Sequence, residues 1–226
     1  MVCSVLAANR DEFLARPTTS AAWHTFPPSA SPETFPSPDG LPPTAARTLS
    51  GLDLSAGGTW LGLSIPEASV PPASSSTAVL KLSSLTNFTE TPAPPAAPQP
   101  SRGALVRDFL ASPPGVPATE YLERLRPVLG RYAGFNLLCG ELTRERGFEM
   151  AYATNRGGQA EAGRPVPGVP GGKVIGLSNS SLDAGEDPDG RWPKVTSGCG
   201  EVERLLEQTR GKGGADLVEG LWRILR

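Results

Sequence analysis

GFNLLCGELTRERGFEMAYATN, residues 134–155, is the stretch that decides the fold of this chain. Two mainly apolar runs, 134–142 and 148–155, flank the polar segment TRERG, and this pattern predicts a β-hairpin. The two strands of a hairpin run antiparallel, so we expect an antiparallel sheet that extends outward from this pair. Cys139 then falls inside a buried strand, and Asn155 falls where the second strand ends.

Further strands and helices are predicted in runs on both sides of the hairpin. Short apolar runs predict four more strands, at 4–8, 59–65, 77–88 and 173–179. In the third of these we expect an irregularity between Leu82 and Leu85. Apolar residues at helical spacing predict four helices, at 101–112, 118–132, 201–209 and 215–226. Runs of like elements, without strict alternation, favour an α+β fold of antiparallel sheets with helices packed outside.

The domain organisation is expected to be simple. A length of 226 residues suits one domain, so we expect a single domain over 1–226. The 25 prolines are clustered, and the whole stretch 16–47 is expected to be loop. Three Pro/Ser-rich stretches are expected to be surface loop insertions, at about 26–46, 66–76 and 89–100.

Charge and apolar patterning exclude several classes of partner. With 21 basic and 23 acidic residues, the chain has no strong positive field, so nucleic acid is not an expected partner. No run of about 18 apolar residues occurs, so no transmembrane segment is expected. The first residues, MVCSVLAANRDEF, resemble neither a secretory signal nor a transit peptide, and a cytoplasmic location is expected.

The histidine and cysteine content restricts the chemistry. The chain has one histidine, His24, and three cysteines, Cys3, Cys139 and Cys199, without a C-x-x-C pair. A multi-histidine metal centre is therefore excluded, and neither a zinc motif nor a redox motif is indicated. A Ser-His-Asp triad would have to use His24, whose Pro/Ser-rich surroundings are more typical of a surface group.

Four short polar words end predicted strands: NRDE (9–12), LTN (85–87), TNRG (154–157) and GLSN (176–179). Each could simply form a turn, since Asn and Asp favour turns. Because four such words occur, we predict that they meet in one pocket, beside a tryptophan held by the turn GGTWLG. The candidate ligand-binding residues are Asn9, Arg10, Asp11, Glu12, Trp60, Asn87, Asn155, Arg156 and Asn179.

Seven segments, in chain order, resemble the NRDE family, also called the transport and Golgi organization protein 2 family, in its eukaryotic members. They are LAANRDEFLARP, LSGLDLSAGGTWLGLS, LTNF, SRGALVRDFL, GFNLLCGEL, TNRG and GLSNSSLDAGEDPDGRWPKV. The resemblance runs from about residue 4 to the end and is interrupted only by the Pro/Ser-rich stretches. The most specific parts of the resemblance are the first segment, which contains NRDE, together with GGTWLG and GLSN…WPK.

The resemblance implies a fold and a function. The implied fold is an N-terminal nucleophile hydrolase-like αββα sandwich, with two antiparallel sheets between helical layers. The implied function is intracellular: Golgi organisation and protein secretion, with haem or lipid handling, and Golgi or mitochondrial association. We therefore expect ligand binding rather than catalysis, with haem as a transported ligand and not a resident cofactor. His24, Cys3 or Cys199 could in principle ligate its iron.

The same fold implies an alternative, an acylase-like amide hydrolase. In choloylglycine hydrolase and penicillin V acylase, an N-terminal cysteine is the nucleophile and its own amine is the base. Arg10 and Asp11 match the pair that orients this amine, and Asn87 and Asn179 match the amides that hold the oxyanion. Arg156 could add a positive group.

The start of the chain departs from the family pattern. Family members begin Met-Cys and place a further strand before the NRDE strand, whereas here Cys3 stands on the NRDE strand itself. We therefore expect the nucleophile strand to be missing from this chain, and the sandwich to be incomplete at both ends. By this route the chain is not expected to be an enzyme.

Overall fold

A computed structural model describes residues 5–9, 15–26, 46–65, 78–89, 99–112, 116–156, 161–166, 174–180, 182 and 192–225. Within these residues lie seven strands and four α-helices. The strands are β1 (Ala22–His24), β2 (Arg47–Ser50), β3 (Leu61–Ile65), β4 (Ala78–Asn87), β5 (Phe135–Thr143), β6 (Gly147–Thr154) and β7 (Glu161–Val166). The helices are α1 (Gly103–Ala111), α2 (Ala118–Leu125), α3 (Pro193–Gln208) and α4 (Gly214–Ile224).

The seven strands form one antiparallel sheet whose spatial order is the order of the chain, β1 to β7. The predicted hairpin is confirmed as β5 and β6, which pair from Asn136 with Thr154 to Thr143 with Gly147. Gly147 has a φ of +72°, a left-handed conformation that glycine adopts without strain at the hairpin turn. The α+β class is thereby confirmed.

The hydrophobic core lies between one face of the sheet and helices α1 and α2, which connect β4 to β5. Phe109 of α1 and Tyr121 of α2 pack edge to face, with ring centroids 5.0 Å apart. From the sheet, Leu137 and Cys139 enter the same core because alternate residues of a strand face the same side. This arrangement leaves the opposite face of the sheet available for a site.

The predicted helix 118–132 is shorter than expected. The α-helix ends at Leu125, and a 3-10 helix follows over Arg126–Arg131. Pro127 explains the change, because proline has no N–H to donate to the carbonyl one turn earlier. The predicted helix 201–209 is longer than expected, since α3 already begins at Pro193, and proline suits the first turn of a helix.

Two predicted strands are wrong. Residues 5–8 and 174–179 are irregular in the structure, although their apolar side chains suggested buried strands. Val5 and Leu6 are instead more than two-fifths exposed. The predicted irregularity in β4 is also misplaced, because the register shift lies between Ala78 and Leu80.

Three strands were missed, namely β1, β2 and β7. β1 lies inside the stretch that was predicted to be loop, and among the described strands it pairs with β2 alone. β7 contains Gly163 and Pro165, which are poor strand formers, so its sequence gives no strand signal. Pairing with β6 and contact with α2 hold it in place.

The described residues contain one sheet, so the two-sheet N-terminal nucleophile hydrolase-like sandwich stays a prediction. The three predicted Pro/Ser-rich insertions lie mostly outside the described residues. The single-domain organisation also stays a prediction.

Candidate ligand-binding site

A cavity of about 250 Å³, here called the polar pocket, opens where β4 ends. Its lining comes from that strand end, from the turn before β3, from the starts of α1 and α3, and from three irregular segments. The lining residues are Asn9, Arg16, Asp53, Thr59, Trp60, Leu85, Thr86, Asn87, Ser101, Arg102, Gly103, Leu177, Ser178, Asn179 and Lys194.

The described residues that line the polar pocket carry a net positive charge. Among the described lining residues, Arg16, Arg102 and Lys194 carry positive charge and Asp53 carries the one negative charge. The start of α1 also lies in the wall, and the first turn of α1 contains no acidic residue. Because backbone N–H groups at a helix N-terminus favour anions, the helix and the three cations act in the same direction.

Asp53 fixes the position of Arg16 at the pocket wall. The Arg16 guanidinium donates from Nε and Nη2 to Oδ2 of Asp53, at 3.1 and 2.5 Å. The backbone N–H of Ser55 donates to the other carboxylate oxygen at 3.0 Å. Desolvation tends to raise the pKa of Asp53, but the hydrogen bonds and the charge of Arg16 outweigh it, and the pKa is lowered. The carboxylate therefore stays ionised and keeps Arg16 in place at neutral pH.

The turn before β3 packs directly against the start of α1. Gly57 has a φ of +65°, and the N–H of Thr59 donates to the carbonyl of Gly103 at 3.3 Å. Arg102, the residue before α1, donates from Nη1 to the carbonyl of Gly134 at 2.8 Å. These contacts join the turn, α1 and the start of β5 into one wall of the pocket.

Four of the nine predicted site residues line the polar pocket: Asn9, Trp60, Asn87 and Asn179. Asn87 and Asn179 are in direct contact, since Nδ2 of Asn179 donates to the carbonyl of Asn87 at 2.9 Å. Asn9, from the predicted NRDE word, donates to the carbonyl of Leu225 at 3.3 Å. Arg10, Asp11 and Glu12 lie outside the described residues.

Asn155 and Arg156 lie away from this cavity. Asn155 is buried, and its amide donates to the carbonyls of Leu129 and Tyr132, each at 3.0 Å. Its side-chain oxygen accepts the N–H of Phe135 at 3.0 Å. Asn155 therefore fastens the 3-10 helix to the start of β5, which is a structural task. Arg156 donates to the carbonyl of Asn155 at 2.9 Å and does not line the pocket.

Four charged lining residues escaped sequence reasoning, namely Arg16, Asp53, Arg102 and Lys194. Each lies inside a segment that carried the family resemblance, such as SRGALVRDFL or WPK. A search of those segments for charged residues beside glycine or proline turns would have found three of them. These three are Arg16, Arg102 and Lys194, which adjoin Pro17, Gly103 and Pro193, whereas Asp53 has leucine on both sides.

A second and larger cavity, here called the apolar groove, lies over the open face of the sheet, with a volume of about 1020 Å³. Its apolar lining residues are Val5, Leu6, Ala21, Leu49, Trp60, Leu61, Leu63, Leu80, Leu82, Leu142, Phe148 and Met150. Trp60 also lines the polar pocket, so this one residue borders both cavities. The segment 5–9 likewise runs from the groove at Val5 to the pocket at Asn9.

The residues considered as haem ligands line neither cavity where the structure describes them. The ring nitrogen Nε2 of His24 lies 2.8 Å from Oγ of Ser50, and the ring packs against Phe26. Cys199 lies on α3 against Gly176, where burial raises the pKa of its thiol. Cys3 lies outside the described residues.

In the described part of the chain, two structural features bear on metal binding and on membrane insertion. No group of three or more His, Cys, Asp or Glu side chains is arranged to hold a metal ion there. None of the described helices combines the length and the apolar character needed to cross a bilayer.

Comparison with known proteins identifies the family. The sequence profile of the family described as "Transport and Golgi organisation 2" matches residues 4–226. The chain belongs to this family. The resemblance carried by the NRDE word, GGTWLG and GLSN is thereby confirmed.

Three curated members of the transport and Golgi organisation 2 family are similar to the chain. A mouse protein named "Transport and Golgi organization 2 homolog" is 31% identical over 224 residues. Bovine and human proteins named "Transport and Golgi organization protein 2 homolog" are 32% and 31% identical, over 224 and 229 residues. Each match covers 98% of this chain and 64% of the relative, so the chain spans about 64% of the length of these family members.

Proposed function

We propose that this family member is a ligand-binding protein for an amphiphilic anion. The charged group of the ligand occupies the polar pocket, and its apolar body lies in the apolar groove. Haem and anionic lipids share this chemistry, because both combine acidic groups with a large apolar body. The proposal thus gives one physical basis for the haem or lipid handling that the family resemblance implies.

The position of Trp60 carries the proposal. A ligand that filled only the polar pocket would be small, since that cavity measures about 250 Å³. Trp60 borders both that pocket and the groove of about 1020 Å³, and we propose that a single molecule extends from one into the other past this residue. An apolar cavity beside a few convergent polar groups is the usual form of a small-molecule site.

A lipid fits the described residues better than iron-coordinated haem. Burial of apolar area in the groove supplies affinity for an acyl chain at about 25 cal/mol per Å². Iron coordination would need His24, Cys199 or another axial ligand, and neither of these two lines a cavity. If haemin binds, we expect its propionates to bind in the polar pocket without protein coordination of the iron.

The alternative, an N-terminal nucleophile amide hydrolase, has less support. That mechanism needs a cysteine thiol beside the amides and cations of the pocket. The described lining contributes no cysteine, and Cys139 is buried in the core, where desolvation raises its pKa to about 12. A chromogenic acyl-amide assay tests this alternative, and we expect no product above the buffer rate.

Calorimetric titration with three probes tests the proposal: hexadecanoate, hexadecanol and acetate. Hexadecanoate has the charge and the chain, hexadecanol has only the chain, and acetate has only the charge. We expect hexadecanoate to bind at least about tenfold more tightly than either partial ligand, because both cavities contribute to the free energy of binding. Absence of hexadecanoate binding, or equal binding of hexadecanol, would contradict the proposal.

Two pairs of variants locate the site. Lys194→Gln removes a pocket charge and should weaken hexadecanoate binding by about fivefold, whereas Lys212→Gln, at an exposed lysine outside both cavities, should not. Leu82→Thr removes apolar area from the groove and should weaken binding by about tenfold. Ile65→Thr makes a similar change at an exposed strand residue outside the groove and serves as its control.

Haemin provides a further arm of the same experiment. We expect any shift of its Soret band to survive His24→Ala, because His24 is bonded to Ser50 and lies outside both cavities. Loss of the shift in that variant would show iron coordination by His24 and overturn our account of the haem interaction.

We further propose that the protein acts in the cytoplasm in association with the Golgi or the mitochondrion. For the Golgi, the support is the name of the family and of its relatives, which refers to transport and Golgi organisation, whereas the cytoplasmic and mitochondrial parts rest on the sequence analysis alone. Fluorescence microscopy of the tagged chain beside Golgi and mitochondrial markers tests this, and a uniformly nuclear signal would contradict it.

A further inference from the structure

We infer that Asn136 and Tyr152 are positioning residues for the polar pocket. Through buried hydrogen bonds they hold the segment 174–180, which carries Ser178 and Asn179, against the open face of the sheet. The inference rests on the proposed function, because it names what maintains the shape of that site.

The segment 174–180 needs such a support. It forms no strand or helix in the structure, so no ladder of backbone bonds fixes its position. Yet it supplies Leu177, Ser178 and Asn179 to the pocket wall. Apart from the packing of Gly176 against α3, its position therefore depends on individual hydrogen bonds to its backbone.

Asn136, on β5, makes the largest share of these bonds. Its side chain is fully buried, and Nδ2 lies 3.3 Å from the carbonyl oxygen of Ser178 and 2.9 Å from that of Ser180. Thr86 of β4 donates to the same Ser178 carbonyl at 2.7 Å. Two neighbouring strands, β4 and β5, thus form hydrogen bonds to the backbone of the segment at Ser178 and Ser180.

Tyr152, on β6, fixes the orientation of the Asn136 amide. Its hydroxyl donates to Oδ1 of Asn136 at 2.6 Å, which directs Nδ2 toward the segment. The same hydroxyl accepts the backbone N–H of Leu182 at 3.2 Å. The ring is fully buried beneath the guanidinium of Arg164, 5.0 Å from its centroid. The backbone is therefore hydrogen-bonded to this pair at Ser178 and Ser180, through Asn136, and at Leu182, through Tyr152.

The position of the segment 174–180 affects the polar pocket through Asn179, which lines it. Its carbonyl accepts the N–H of Thr89 at 2.8 Å, and its Nδ2 donates to the carbonyl of Asn87 at 2.9 Å. If the hydrogen bonds from Asn136 and Tyr152 are lost, we expect Ser178 and Asn179 to shift together relative to the end of β4.

Tyr152→Phe tests the inference, because it keeps the buried ring and removes only the hydroxyl. We expect hexadecanoate binding to weaken by about threefold to tenfold, the loss typical of one buried hydrogen bond. The amide hydrogens of Leu182 and Thr89 should exchange faster, since the first loses its acceptor and the second reports on Asn179. Asn136→Asp, which places a carboxylate against two carbonyls, should have a larger effect of the same kind.

Tyr132→Phe is the matched control. Tyr132 is equally aromatic and buried, but it packs against Phe135 on the helix side of the sheet and lies outside the pocket. Affinities are measured at a temperature where circular dichroism shows every variant fully folded, so a change in overall stability alone does not alter them.

The two measurements, amide exchange and hexadecanoate affinity, distinguish a positioning role from a purely structural one. Unchanged exchange at Leu182 and Thr89 in Tyr152→Phe would overturn the positioning role. Faster exchange with unchanged affinity would also overturn it, because the segment would then move without consequence for the ligand. If the wild-type chain binds no hexadecanoate, the proposed function fails, and the exchange rates still decide whether the pair holds the segment.

Discussion

Lys81 is the residue with the most unusual environment in the described part of the chain. It lies on β4, faces the helices and is about 1% exposed. Nζ donates to the carbonyl and hydroxyl of Ser112, at 2.9 and 2.6 Å, and lies 4.9 Å from the ring centroid of Phe109. Glu141 is its direct cross-strand partner. Desolvation lowers the pKa of Lys81 to about 8, although the charge of Glu141 opposes the change.

The lowered pKa of Lys81 predicts a pH dependence of stability. Between about pH 8 and 10.5 the unfolded chain holds a proton at Lys81 that the folded chain has released, so the free energy of unfolding rises with pH there. Relative to Lys81→Met, the wild-type value should rise by about 1.4 kcal/mol per pH unit in this window. Urea denaturation at several pH values measures it.

Lys212→Met is the control for this prediction, because Lys212 is exposed. It should show the same pH profile as the wild type. A constant difference between wild type and Lys81→Met from pH 8 to 10.5 would contradict the assignment.

At the scale of elements, the turn Gly57–Gly58 determines how β3 meets α1. A Cβ atom on Gly58 would lie 2.5 Å from the carbonyl carbon of Gly103, so only glycine permits this approach of two backbones. Gly57 has open space around it but a φ of +65°. The two glycines therefore meet different requirements, close packing and backbone conformation.

Alanine substitution should distinguish these two requirements. Gly58→Ala should lower the free energy of unfolding by about 2–3 kcal/mol or more, because the backbones must separate. Gly57→Ala should cost about 1 kcal/mol, the strain of a left-handed alanine. Urea denaturation gives both values, and a smaller loss for Gly58→Ala than for Gly57→Ala would contradict the packing argument. Gly58→Ala should also weaken ligand binding, since Thr59 and Gly103 line the pocket.

At the scale of the whole molecule, the two faces of the sheet have different tasks. The face toward α1 and α2 is filled by the core, which includes Leu105, Phe109 and Leu122. The opposite face carries the apolar groove at one end and the polar network of Asn136 and Tyr152 at the other. Stability should therefore depend mainly on the first face and ligand binding on the second.

Adjacent leucines of β5 test this division, since Leu137 lies in the core and Leu138 lies half-buried on the opposite side. Leu137→Ala should lower the free energy of unfolding by about 2–5 kcal/mol, because it leaves a cavity among well-packed side chains. Leu138→Ala should cost only about 1 kcal/mol. Thermal and urea unfolding of the two variants measure the difference, and equal losses would mean that the second face is packed as tightly as the first.

Local periodicity was sufficient to predict much of the fold. Two mainly apolar runs on either side of a polar turn predicted β5 and β6, and helical spacing predicted α1, the start of α2 and the helices near the end. Periodicity failed where pairing rather than propensity forms the strand, as in β7 with its Gly163 and Pro165. Periodicity also predicted a strand that is not present at 5–8, where Val5 and Leu6 line the apolar groove instead of joining the sheet.

The candidate site was predictable only in part. Asn87 and Asn179 stand in polar words at the ends of apolar runs, and both line the polar pocket. Asn155 has the same local pattern but fastens a 3-10 helix, because its carbonyl partners come from the chain before β5. Sequence cannot separate these two cases, since the difference lies in which distant backbone groups meet the amide.

The sequence by itself determined the family, the α+β class and the central hairpin, because each depends on short words or on local periodicity. The tertiary structure alone decided the composition of the site. Arg16, Asp53, Arg102 and Lys194 come from four separate segments, and only the folded chain brings their charges to one cavity. It also decided that Trp60 borders two cavities at once, because that position depends on how β3, α1 and the open face of the sheet meet in space.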